Sequence, residues 1–140
     1  MPTGGGPAVQ VTREVGFFVH EAWDARTVYY SQAAGRELWR VPVSGGEEAP
    51  VLRIPTPGYL SGWDLTTAGI YYGTSRELEL AGEEYTVAFF DFATGRTETL
   101  LRKEGPFRHW SLTVSPDEKW ILYSEQPLAQ SELMLIENFR

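Results

Sequence analysis

Three short runs of one shape constrain what this chain can fold into: Val28-Tyr29-Tyr30-Ser31, Ile70-Tyr71-Tyr72-Gly73 and Ile121-Leu122-Tyr123-Ser124. Their marker tyrosines stand at positions 30, 72 and 123, at intervals of 42 and 51. A period of tens of residues signals a repeat architecture, in which each unit buries its apolar faces against its neighbours. The shorter interval matches the roughly 40–45 residues of a four-stranded antiparallel unit.

Thirteen positions before each marker tyrosine stand Phe17, Tyr59 and Trp110, each opening a short alternating segment that reads as a preceding strand. Turn-like stretches separate the two strands: Trp23-Asp24-Ala25-Arg26, Thr66-Thr67-Ala68-Gly69 and Ser115-Pro116-Asp117-Glu118. Third strands are predicted at Leu38-Trp39-Arg40-Val41, Val87-Ala88-Phe89-Phe90 and Leu133-Met134-Leu135-Ile136. The turns Val43-Ser44-Gly45-Gly46 and Phe92-Ala93-Thr94-Gly95 lead to fourth strands at 49–54 and 97–101.

The third unit has no fourth strand, but residues 1–6 resemble Val41-Pro42-Val43-Ser44-Gly45-Gly46 and precede a strand-like stretch at 7–12. The reading is therefore all-β, a single domain over residues 1–140 made of three four-stranded β-propeller blades. Strand 7–12 is expected to complete the blade ended by 131–139. Residues 75–84 are read as a longer, solvated acidic loop, lacking the tuned oxygen spacing of a calcium site.

The segment Ser115-Pro116-Asp117 followed by Trp120-Ile121-Leu122-Tyr123-Ser124 resembles the signature of TolB-type, WD-repeat-like bacterial β-propellers. The resemblance covers nearly the whole chain. Residues 131–140, Glu37-Leu38-Trp39-Arg40-Val41-Pro42 and Phe89-Phe90-Asp91-Phe92-Ala93-Thr94-Gly95 are similar to the carboxy-terminal blades of large regulators of that kind. Glu118 stands where the family turn usually has glycine, and Trp23 replaces its usual proline. The resemblance implies a fold and carries over no catalytic residue, because fold does not give function.

An open arc of three blades would leave two apolar faces wet, whereas propellers close with four to eight. Two copies related by a two-fold axis would make six, the number of the TolB type. A homodimer is expected, with residues 8–12 of each copy completing the last blade of the other. The alternative is a piece of a longer chain whose other blades close the ring.

A net charge of −7, with basic residues scattered singly, argues against binding a phosphate backbone. No run approaches the roughly 18 apolar residues that span a bilayer, and residues 1–10 lack the parts of a signal peptide, so neither membrane nor compartment is assigned. The absence of cysteine removes disulfides and thiolate chemistry. No cofactor or metal site is read: His20 and His109 stand at different places relative to their marker tyrosines. A triad of Ser111 or Ser115 with His109 and Asp117 lacks a nucleophile elbow, and Glu47-Glu48 and Glu83-Glu84 fall in presumed turns, so no enzyme is expected.

The remaining candidates are aromatic. If first strands line the central channel, as in the family, Phe17, Tyr59 and Trp110 would ring one mouth, flanked by Arg13, Arg108 and His109. The blander reading places them between blades as packing. The functional expectation is a non-enzymatic binding or scaffolding propeller that engages a protein or peptide through its loop face or channel. A saccharide-type small-ligand sensor and a fragment without autonomous function are the alternatives.

Overall fold

Alternating β-branched and aromatic residues punctuated by glycine turns favour strands, and strands are what this chain forms. The computed structural model describes residues 5, 7–8, 10–13, 15–32, 36–55, 57–78, 82–105, 107–108, 111–127 and 132–137, with backbone alone at 82, 107, 108, 132 and 133. The first antiparallel sheet runs β1 (Gly16–Glu21), β2 (Thr27–Gln32), β3 (Glu37–Pro42), β4 (Ala49–Arg53). The second runs β5 (Tyr59–Leu65), β6 (Gly69–Leu78), β7 (Gly82–Asp91), β8 (Thr97–Gly105). In the third, β9 (Phe107–Arg108) and β10 (Leu112–Val114) both pair β11 (Trp120–Pro127), which pairs β12 (Glu132–Glu137). No helix occurs among the described residues.

The second sheet is the middle layer. Ile70, Tyr72 and Ala88 pack towards Tyr29, Leu38 and Ile54 of the first sheet and its border. Tyr71, Tyr85 and Val87 pack towards Leu112, Ile121 and Tyr123 of the third. β6 is thus covered on both faces, which is why its run is apolar without alternation. Full burial of Val87 and Ile121 contributes about 1.5–3 kcal/mol each.

Close approach between the first strands of neighbouring sheets sets one composition rule. A Cβ at Gly62 on β5 would stand 2.7 Å from the Leu112 nitrogen of β10, so only glycine lets the two backbones meet. The outer turns obey another. Ala25 and Glu118 both have φ +53°, and their amides donate to the Ala22 and Ser115 carbonyls at 2.9 and 2.8 Å. Both hairpins therefore use one turn, with a non-glycine residue held left-handed at the same position.

One sequence expectation needs revision. Residues 75–84 do not form a solvated loop: β6 and β7 continue as a hairpin to Leu78 and Gly82. Glu83 is 9% exposed and Glu84 bonds Arg76, because strand pairing holds both in the sheet. β9 and β10 lie on the same edge of β11, with Arg108 opposite Gln126 and Leu112 opposite Tyr123, so they continue one line of pairing and add no fourth strand. Of the stretch 7–12, the described residues 7–8 and 10–12 lie in no strand.

Candidate functional site

Side chains from all three first strands meet at one level. His20 lies opposite Tyr29, Asp64 opposite Tyr71 and Thr113 opposite Leu122. Each of those partners immediately precedes a marker tyrosine, so the three residues occupy one structural position of the repeat. Asp64 joins them. Its Oδ2 accepts from Thr113 Oγ1 at 2.7 Å and from the Val114 amide at 2.8 Å. Its Oδ1 accepts from the Leu65 amide at 2.8 Å and lies 3.5 Å from His20 Nδ1. The His20 ring packs on Trp63, centroids 4.3 Å apart, so the imidazole is held from two sides.

Beyond Asp64 the three first hairpin turns converge on a cleft of about 350 Å³. Trp23 comes from the first turn, Thr66 and Thr67 from the second, Ser115, Pro116 and Glu118 from the third. Glu118 is positioned by Tyr71, whose Oη donates to its Oε2 at 3.1 Å. Trp23 is 72% exposed, an unusual state for so large an apolar surface. Asp64 and Glu118 bring negative charge, and the described lining residues include no lysine, arginine or histidine. An indole face beside carboxylates attracts cations.

The aromatic candidates are arranged differently from the expected ring. Phe17 stands opposite Ser31, one residue past Tyr30, whereas Tyr59 stands opposite Ser75, three past Tyr72. The second sheet's first hairpin is two residues shorter than the first sheet's, which moves Tyr59 out of register with Phe17. Phe17 is exposed. Tyr59 donates to Glu83 Oε1 at 2.9 Å, and burial together with that carboxylate pushes its phenol up to about 12. His109 and Trp110 lie outside the described residues, and Arg108 is described only as a backbone pair of Gln126.

Ser115, considered above for a triad with Asp117, is a turn residue, and Ser111 lies just before β10, its amide donating to Ser124 Oγ at 3.2 Å. The Ser115 hydroxyl donates to Asp117 Oδ1 at 2.6 Å and accepts from the Lys119 and Trp120 amides at 3.2 and 3.1 Å. That bond and Lys119 hold the Asp117 carboxyl below its ordinary value. Among the described residues no three of His, Asp and Glu gather as a metal would need. Neither Trp23 nor Asp64 was singled out by the sequence as part of a site. Their only sequence signal was position, beside the turns and in the first strands. No protein-family model matches the chain, and no curated protein matches it.

Proposed function

We propose that this chain is a non-enzymatic, TolB-type β-propeller segment that binds a protein or peptide partner on the face formed by its first hairpin turns. The observation that carries this reading is the convergence of three turns on one cleft beside the exposed Trp23. Exposed tryptophans anchor interfaces because they bury a large area at low entropic cost. The carboxylates of Asp64 and Glu118 favour a partner segment that offers a lysine or arginine side chain to the indole.

Selecting peptides from a displayed random library against the folded chain tests this. Enrichment of basic peptides whose affinity falls at least about tenfold in Trp23→Ala is the expected result. Binding indifferent to Trp23→Ala, or no enriched peptide at all, would sink it.

The finer architecture belongs to the same reading: two copies close a six-bladed ring, residues 8–12 of each adding to β12 of the other. Supporting it, β12 pairs only β11 among the described residues, and its outward Leu135 is exposed beside its cross-strand partner Leu122. Size-exclusion chromatography with light scattering should give twice the 15.8 kDa chain mass. A monomer at micromolar concentration would refute the pairing.

A further inference from the structure

The second sheet reaches further than the first. β6 and β7 are each ten residues long, whereas β2 and β3 are each six. The apolar part of the shared face, Ile70, Tyr72 and Ala88, is covered by the first sheet's core. Beyond it the same face turns polar. Thr74 stands opposite Thr86, Arg76 opposite Glu84, and Thr86 opposite Arg102 of β8. These residues form one wall of a cleft of about 460 Å³, and Pro55, Pro57 and Gly58 of the connection into β5 form another.

Hydrogen-bond donors dominate the polar wall. The Arg76 Nη2 lies 3.1 Å from Glu84 Oε2, while its Nε is buried with no hydrogen-bond partner. Arg102 makes no ion pair among the described residues. The threonine hydroxyls at 74, 86 and 99 line the same space. Among the described lining residues, two guanidiniums against one carboxylate leave a local excess of positive charge on a chain whose net charge is −7. A buried N–H is satisfied in native folds by a water, an ion or a ligand, and guanidinium pairs naturally with planar or tetrahedral oxyanions. The floor is apolar, with Ile54 and Ala88 both buried. The volume is of the size that holds a small molecule.

We propose that this cleft binds the oxyanion group, carboxylate or phosphate, of a small ligand whose neutral part rests on the two prolines and the apolar floor. Arg102 supplies the charge, Arg76 Nε and the threonine hydroxyls supply directed bonds, and Glu84 keeps Arg76 in place. The site lies on a different face of the second sheet's hairpins from the turn cleft and does not depend on it.

Nuclear magnetic resonance titration with inorganic phosphate in one arm and succinate in the other, at constant ionic strength, tests the proposal and tells the two oxyanions apart. Saturable amide shifts confined to β6, β7, β8 and Gly58 are expected in at least one arm. Arg102→Ala, at an exposed position, should stay folded and weaken that binding about tenfold or more. Lys119→Ala, in a turn of the third sheet, should leave it unchanged. No saturable shift in either arm up to about 10 mM would overturn the proposal, as would equal binding by a folded Arg102→Ala chain.

Discussion

Thr113 donates its hydroxyl to Asp64 at 2.7 Å across 49 residues of chain, and the two side chains occupy one position of the repeat in adjacent sheets. His20 takes that position in the remaining sheet and faces the same carboxylate. The three first strands are therefore tied by a single acidic group. Asp64→Ala removes acceptors from the Thr113 hydroxyl and the Leu65 and Val114 amides, and should cost about 2–3 kcal/mol in urea unfolding. Thr113→Val keeps the shape and should cost about 1 kcal/mol. Because the two changes share a bond, the double variant should lose less than the sum of the singles.

Lys103 on β8 reaches both carboxylate oxygens of Glu125 on β11, at 2.8 and 2.6 Å, and the Glu125 residue is 3% exposed. Lys103→Met leaves that carboxylate buried without its ammonium and should destabilise by about 3 kcal/mol. Adding Glu125→Leu to it should restore most of the loss, because the desolvation cost then disappears. If the double variant is no more stable than the single one, the pair does more than balance charge.

Adding glycine at the two left-handed turn positions and removing it from β5 should have opposite signs. Ala25→Gly relieves a left-handed alanine and should stabilise by about 0.5–1 kcal/mol. Glu118→Gly relieves the same φ but removes the acceptor of Tyr71, so its gain should be smaller. Gly62→Ala forces a Cβ onto the β10 backbone and should cost about 1–3 kcal/mol. Differential scanning calorimetry on the three variants reads all of these shifts.

Alkali should unfold the chain through its tyrosines. Burial, with Glu83 adding to it, raises the Tyr59 phenol to about 12, and burial raises Tyr72, Tyr85 and Tyr123 as well. The native state then keeps protons that the unfolded chain releases near pH 10, so stability is complete below about pH 10 and falls as pH rises towards 12. Urea midpoints from pH 8 to 12, followed with tyrosinate absorbance, should show that decline, and Tyr59→Phe should make it shallower.

Much of the strand layout was legible because hairpins are local. Periodicity and turn residues placed β2, β3, β4 and β12 near their observed bounds and β8 at its start; the apolar run at 70–72 is covered on both faces, whereas Leu122 in the like run at 121–123 is exposed. Register was less legible. Counting back from the marker tyrosines assumes equal hairpins, but the turn at Thr66, Thr67 and Ala68 is two residues shorter than that after β1, which displaced Tyr59 from Phe17 and hid the kinship of His20, Asp64 and Thr113. The acidic stretch at 75–84 looked like a loop because its carboxylates are costly to bury alone. In the fold, Arg76 pairs with Glu84 and Tyr59 donates to Glu83 Oε1.

By itself, then, the sequence determined an all-β chain of three repeated hairpin units, because strand periodicity and turn chemistry act over a few residues. Tertiary structure alone decided what those units make together: the Asp64 junction, the cleft beside Trp23 and the polar overhang at Arg76 and Arg102. The overhang depends on how far the second sheet projects past the first, and the other two on how closely the first strands approach, both set by packing between residues far apart in the chain.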